Sequence, residues 1–244
     1  MKTFKVILIL PAYNAAQTLE KTFKAIPEYF QKNVILVDDY SNDNTVSIAQ
    51  RLGIETIVHS HNLGYGANQK TCYDAALKRD VDIIVMLHPD YQYDPQKIPE
   101  LIQPIINGNA DIVLGSRISN KQAVKNGMPF WKYVGNRFLT WMENFILHQN
   151  LSEYHTGYRA YSAKVLHSVK FSNNSDGFVF DSQVLIQSIV KKFRISEISV
   201  NAKYFKEASS IKLLTSIHYG ILTSFCLLEY FFHVHGWKKI SWLK

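Results

Sequence analysis

An α/β fold built on a mostly parallel sheet flanked by helices is predicted by three features of this 244-residue chain. β-Favouring apolar runs recur through its first half, segments with helical spacing separate them, and polar clusters follow the runs. The runs are residues 4–10, 34–37, 54–58, 83–87 and 112–114. They do not alternate with polar residues, which suits strands buried on both faces.

Between the runs, Leu19, Phe23 and Ile26, then Val46, Ile48, Ala49 and Leu52, have helical spacing, and Gly53 is a helix stop. Strand and helix in turn imply right-handed βαβ units through residue 117. In such sheets ligands lie beyond the carboxyl ends of the strands. Four polar clusters stand there, at residues 11–14, 38–45, 61–68 and 88–94. Past residue 117 the alternation stops. Residues 119–127 read as a mobile polar loop, followed by a helix over 131–147, a turn-like segment at 155–161, a helix near 181–192 and a strand near 195–200.

Hydrophobic residues at 47% against 19% charged exclude overall disorder. The formal net charge of +7 favours anionic partners: phosphorylated small molecules, an acidic membrane or nucleic acid. No aromatic–basic recognition motif supports nucleic acid. Cys72 and Cys226 stand alone without CxxC spacing, so neither a disulfide framework nor a zinc site is expected and a reducing cytoplasm fits.

Near the end, the charge-free residues 213–228 are shorter than the ~20 that a spanning helix needs. Leu214, Ile217, Ile221, Phe225, Leu228 and Phe232 form one helical stripe, with Trp237, Lys238, Lys239 and Trp242 beyond it. This predicts an amphipathic tail at a membrane interface, or else a helix packed on the core or in a dimer seam. The expected division is a core domain over 1–210 and a helical tail over 211–244.

Chemistry is suggested by three motifs. In residues 35–45 (ILVDDYSNDNT), Asp38 and Asp39 emerge from a buried strand, where carboxylates can accept from ribose hydroxyls or a base imino group; Asp43 or Asn44 suits a helix cap. In residues 62–70 (NLGYGANQK), Gly64 and Gly66 flank Tyr65 before a helix, so backbone could approach a ligand; an ordinary glycine turn accounts for the pattern equally well. In residues 83–95 a strand ends in His88, Pro89, Asp90, Tyr91 and Gln92. Asp90 and Gln92 offer oxygen ligands of the kind Mg²⁺ or Mn²⁺ accepts beside phosphates. A calcium loop does not fit, because Gln92 and Leu101 occupy ligand positions and the glycine is missing.

Taken in order, PAYNA, VDDYSNDNT, NLGYGA, HPDYQ, GSR (115–117) and TGYRAY (156–161) resemble family 2 glycosyltransferases of the GT-A fold, nearest the dolichol-phosphate mannose and polyprenyl-phosphate sugar synthases. The resemblance covers residues 5–212. It implies a Rossmann-like GT-A domain that moves a hexose from a nucleotide-diphosphate sugar, GDP-mannose or a UDP-hexose, with inversion to dolichyl or undecaprenyl phosphate. Pro11, Tyr13, Asn14, Asp38, Asp39, Gly64, Tyr65, Gly66, His88 and Lys212 would hold the nucleotide sugar, and Asp90 and Gln92 the Mg²⁺ or Mn²⁺. Asp90, Arg117 and Asp181 would be catalytic, with Arg117, Arg137 and Arg159 on the acceptor phosphate. Lys206 or Lys212 would close over the diphosphate or be solvated. The expected location is cytoplasmic, peripheral at the cytoplasmic membrane face, in cell-envelope glycan synthesis.

Departures from the family pattern are His88 for the first acid of Asp-x-Asp, Ala15 for a glutamate and Glu153 for an aspartate. A polyprenyl phosphate needs no protein base, since a phosphate monoester is largely ionised above its second pKa of about 6. A sugar-hydroxyl acceptor in polysaccharide synthesis would need one, with Asp181 or Glu153 the candidates. Asp181 also suits a plain helix cap. A non-catalytic nucleotide-sugar-binding scaffold is the third reading; oligomeric state is open.

Overall fold

A computed structural model describes residues 4–204 and 213–243. Seven strands, β1 (Val6–Ala12), β2 (Val34–Asp38), β3 (Glu55–Val58), β4 (Ile83–Met86), β5 (Ile112–Ser116), β6 (Arg159–Ser162) and β7 (Ile195–Ser199), form one sheet in the order β3-β2-β1-β4-β6-β5-β7. The helices are α1 (Leu19–Ala25), α2 (Glu28–Gln31), α3 (Thr45–Arg51), α4 (Tyr65–Leu77), α5 (Ile98–Ile106), α6 (Phe130–Leu147), α7 (Ala163–Ser168), α8 (Phe180–Val190) and α9 (Leu213–Val234).

The apolar runs of β1, β2 and β4 are buried along their whole length because the sheet has a core on each face. Ile7, Ile9, Ile35, Ile84 and Met86 face one core, with Tyr73 of α4 and Phe180 of α8. Leu8, Leu10, Leu36, Ile83 and Val85 face the other, with Leu19 of α1 and Leu101 of α5. β1 through β4 pair in parallel, and β7 runs parallel to β5.

The sheet departs from the expected alternation at β6, which lies antiparallel between β4 and β5 where a turn-like segment was predicted. Its four residues contain Arg159, a poor signal for a buried strand until the bonds that satisfy the guanidinium are seen. Residues 119–127 also hold more structure than a loose loop: Ala123, with Ile118 and Met128, makes a small buried cluster.

The C-terminal segment packs against α6 and α8. Cys226 and Leu227 of α9, and Trp242 and Leu243 beyond it, join the core that holds Phe180. The expected C-terminal helix is present: α9 packs one side on the protein and leaves Leu214, Ile217, Ile221, Phe225 and Leu228 exposed on another. Among the described residues no helix is long and apolar enough to cross a membrane.

Candidate active site

The segments that leave β1, β2 and β4 at their carboxyl ends enclose one cavity of about 590 Å³. Asn14, Tyr40 and Tyr91, one in each of these segments, take left-handed φ values of 51°, 64° and 56°. Non-glycine residues occupy that region at a cost, and such positions cluster at functional sites. The β1 and β2 segments are laced together: the Asn14 amide donates to Ser41 Oγ at 2.8 Å, and the Asn42 amide to Asn14 Oδ1 at 2.9 Å.

The paired carboxylates have different roles. Asp38 is fully buried, accepts from the Ser41 amide at 2.8 Å and lies off the cavity wall. Asp39 lines the wall, but its oxygens accept from the amides of Leu63 and Gly64 at 2.8 and 2.9 Å and pair with His59 Nδ1 at 2.8 Å. It thereby fixes the glycine loop. Gly64 takes φ +99°, and a Cβ there would lie 2.8 Å from the Asp176 carbonyl oxygen. A Cβ on Gly66 would meet Phe180 Cβ at 2.8 Å and the Ser175 carbonyl; Gly66 therefore serves helix packing and lies off the wall. Asp43 caps α3, accepting from the Thr45 amide at 3.0 Å, while Asn44 makes no side-chain cap.

His88 stacks on Tyr65 with ring centroids 5.6 Å apart, and its Nε2 lies 3.3 Å from the Tyr65 hydroxyl. That hydroxyl donates to Asp181 Oδ2 at 2.8 Å, and Asp181 Oδ1 lies 3.6 Å from Arg159 Nη1. Burial pushes the His88 ring below its ordinary pKa, which favours the uncharged imidazole, against the opposing pull of Asp90 and Asp181. Burial raises the Asp90 carboxyl, against the pull of His88 and of backbone amides that include Gln92, which donates to Oδ1 at 3.1 Å. Asp181 stands in the first turn of α8 facing the cavity and does not cap the helix.

Asp90 and Gln92 both line the cavity, one carboxylate and one amide, with the His88 imidazole beside them. Among the described residues no group of three or more His, Cys, Asp or Glu could cage a metal alone. So lean a set fits a cation shared with substrate phosphates. A cation is also what would favour the charged form of a carboxyl that burial has raised.

The arginines separate. Arg117 reaches the cavity but is clamped on buried Glu153: the backbone amide donates to Oε2 at 2.7 Å, Nε to Oε1 at 2.9 Å, and Nη2 to the same carboxylate and to the His155 carbonyl. Burial alone would raise the Glu153 carboxyl; Arg117 outweighs it and the net shift is downward. Glu153 is fully buried and off the wall, which removes it as a base for an acceptor hydroxyl. Arg159, 1% exposed, donates to the carbonyls of Thr156 and Tyr154 at 2.6 and 2.9 Å. It holds the turn before β6 and faces Asp181; it does not line the cavity. Arg137 is exposed, donates to the Ser152 carbonyl at 2.9 Å and lies off the wall.

Of the residues expected at the site, Pro11, Tyr13, Asn14, Asp39, Gly64, Tyr65, His88, Asp90, Gln92, Arg117 and Asp181 line the cavity. Asp38, Gly66, Arg137 and Arg159 do not. Lys206 and Lys212 lie outside the described residues.

Among the wall residues outside the expected set are Lys132, His155 and Tyr219. Lys132 is half-buried, and burial together with Arg117 lowers its pKa. Spacing puts Lys132 and Asn136 one turn apart on one face of α6, and it is the hydrogen bond from Asn136 to Glu153, at 2.8 Å, that shows this face turned inward. Tyr219 comes from the C-terminal helix, so the tail supplies part of the wall.

This is an open α/β architecture with a polar crevice at its strand ends. The Glycosyl transferase family 2 model matches residues 7–169, and the chain belongs to that family. It is 30% identical over 216 residues to a UDP-N-acetylglucosamine–dolichyl-phosphate N-acetylglucosaminyltransferase of Methanococcus voltae, covering 82% of this chain and 86% of that protein. It is 26% identical over 213 residues to glycosyltransferase AglD of Haloferax volcanii, covering 81% of this chain and 33% of that one. Glucosyl-3-phosphoglycerate synthase of Mycobacterium tuberculosis, solved with Mn²⁺, UDP and phosphoglyceric acid, superposes with a TM-score of 0.72 at 16% identity over 93% of this chain and 78% of that one. The fold is thus that of GT-A glycosyltransferases, and the protein is a glycosyltransferase.

Proposed function

We propose that this glycosyltransferase moves a sugar, with inversion, from a nucleotide-diphosphate sugar to a polyprenyl phosphate at a membrane surface. The observation that carries the reading is the wall formed by Arg117 and Lys132, two cations beside helices whose outward faces are apolar. α6 exposes Phe130, Val134, Phe138, Trp141 and Phe145, and its neighbour α9 exposes Leu214, Ile217, Ile221 and Phe225. A surface this apolar marks an interaction site, and a lipid with a phosphate head fits both halves of it. The Methanococcus voltae relative, whose name includes a dolichyl-phosphate acceptor, supports the same class and makes UDP-N-acetylglucosamine the first donor to try.

In this reading Pro11, Tyr13 and Asn14 border the nucleoside, while Asp90 and Gln92 would hold Mg²⁺ or Mn²⁺, which when bound would supply positive charge for the leaving diphosphate. Arg117 and Lys132 orient the acceptor phosphate, whose oxygen attacks the anomeric carbon as the bond to the diphosphate breaks. No side chain removes a proton, because a phosphate monoester is already largely ionised at neutral pH. The cytoplasmic face of the membrane suits both a soluble donor and the two buried free thiols.

The test is nucleotide release by purified protein with UDP-, GDP- and dTDP-sugars, with and without undecaprenyl phosphate, in Mg²⁺, Mn²⁺ or chelator. Release that needs the lipid phosphate and the cation, and that Asp90→Ala lowers at least a hundredfold, is the expected result. Turnover with glycan hydroxyls and none with lipid phosphate overturns it.

A further inference from the structure

Transfer to a phosphate needs no protein base, which leaves Asp181, a buried carboxylate in the cavity wall, without a part in the chemistry. Its charge is settled by a neighbour that cannot lose its own. Arg159 is a buried guanidinium, protonated at any working pH. Among the described residues Asp181 is the carboxylate within ion-pair distance of it, with Oδ1 3.6 Å from Nη1. A buried cation needs that anion. An ionised carboxylate only accepts, so the Tyr65 hydroxyl donates to Oδ2, at 2.8 Å. A carboxylate offers about four acceptor positions, and Tyr65 fills one. Asp181 therefore lines the cavity with acceptor capacity to spare.

Phe178, three residues earlier, lines the same cavity and is 38% exposed, packed on Tyr65 with ring centroids 4.9 Å apart. The segment that carries it is tied down: Lys70 Nζ pairs with Asp176 at 2.8 Å, and the Gly66 amide donates to the Asp176 carbonyl at 2.7 Å. The phenyl ring is thus a fixed apolar surface beside a charged acceptor. A pyranose matches that pair, with hydroxyls that donate around its rim and C–H groups on its faces. Position along the cavity agrees. On one side Tyr65 links Asp181 to His88, two residues before Asp90. On the other, Ser182 Oγ lies 2.9 Å from the Tyr219 hydroxyl and Tyr219 reaches His155, whose carbonyl accepts from Arg117. Asp181 stands between the diphosphate end and the acceptor end, where the transferred sugar has to lie.

We propose that Asp181 and Phe178 form the subsite for the donor's sugar: the carboxylate accepts a hydrogen bond from a sugar hydroxyl and the ring packs on the sugar's C–H face. The inference deepens the polyprenyl-phosphate reading and rests on it, since an acceptor hydroxyl would claim Asp181 as its base. A charged acceptor makes the stronger kind of hydrogen bond, so the carboxylate discriminates among sugars by where their hydroxyls stand.

The experiment measures binding of UDP and of UDP-N-acetylglucosamine to the full chain, in Mg²⁺ and without acceptor, with GDP and GDP-mannose and with dTDP and dTDP-glucose as parallel pairs. The quantity read is the ratio of a sugar nucleotide's affinity to that of its own nucleotide. Asp181→Asn should lower this ratio about tenfold for the pair that fits, the scale of a hydrogen bond to a charged group. Nucleotide affinity and binding of undecaprenyl phosphate in detergent micelles should stay as in wild type. Phe178→Ala should lower the ratio severalfold, and Phe178→Tyr, which keeps the ring, should restore most of it. If folded Asp181→Asn keeps the wild-type ratio for every pair, the inference falls and the acceptor class stands, to be judged by lipid-dependent turnover. Should loss of the charge beside Arg159 prevent folding, an unchanged ratio in Phe178→Ala, whose ring is partly exposed, overturns it equally. A wild type that binds none of the three pairs overturns this inference and the donor reading together.

Discussion

Gly157 shows how closely one position can be set by another far away in sequence. A Cβ there would lie 2.5 Å from His88 Cδ2 and 2.7 Å from Nε2, contacts that side chains do not tolerate. His88 in turn stacks on Tyr65, whose hydroxyl is bound to Asp181. Gly157→Ala must therefore move the imidazole and loosen that line of contacts across the cavity. Overpacking of this kind costs about 1–3 kcal/mol, so the variant should remain folded with a modestly lower melting temperature. Turnover should fall at least tenfold. An unchanged kcat would show that the ring's position does not matter to the reaction. The same scale shows what the sequence did and did not disclose. The Gly-Tyr-Arg motif marked a site, but its arginine spends its donors on the carbonyls of Tyr154 and Thr156. Asp38 likewise stands where a strand-end carboxylate was expected and spends an oxygen on Ser41. Residue type and spacing place a group near a crevice; whether it faces ligand or backbone depends on the turn around it, which spacing does not encode.

On the level of the element, α6 is inside out. Its buried face carries Asn136, Thr140 and Glu143, with Leu147 at its end, and its exposed face carries Phe130, Val134, Phe138, Trp141 and Phe145. The usual rule assigns the apolar stripe to the core. Here the polar stripe goes inward because Asn136 and Glu143 have buried partners in Glu153 and His155. The same inversion explains α9, where the stripe legible in the sequence is the exposed one and the packed side mixes Thr223, Cys226 and Leu227. Periodicity thus identified both helices while leaving their orientation open, and Lys132, His155 and Tyr219 stayed hidden with it. β6 was missed for a related reason, a four-residue strand opening with an arginine. If the exposed stripes meet a membrane, Phe138→Glu and Phe225→Glu should each weaken binding to phospholipid vesicles at least tenfold. The basis is the ~1.5–3 kcal/mol of burying such a side chain plus the cost of inserting a charge. Because both positions are solvent-exposed, melting temperature should hardly change. Sedimentation with vesicles and thermal unfolding read the two effects separately, and equal vesicle binding by the variants would remove the membrane from the account.

For the whole molecule, the proposed membrane reading calls on two forces of different range, and salt separates them. The chain's net charge of +7 includes Lys238 and Lys239, which are exposed beyond the apolar stripe of α9. Attraction of these charges to an anionic surface extends about 10 Å at 0.1 M salt and about 3 Å at 1 M. Contact between the exposed faces of α6 and α9 and acyl chains is not screened, since it arises from apolar area removed from water. Binding to vesicles containing anionic lipid should therefore weaken severalfold between 0.1 and 1 M sodium chloride, then level off at the affinity measured for purely zwitterionic vesicles. That residual should be unaffected by salt and abolished by combining Phe138→Glu with Phe225→Glu. Asp90→Ala, within the cavity and away from both faces, should bind vesicles of either kind as wild type does while losing turnover. Binding that vanished altogether at high salt would mean that charge alone holds the protein to the surface, leaving the apolar faces for a partner protein or a second copy of this chain.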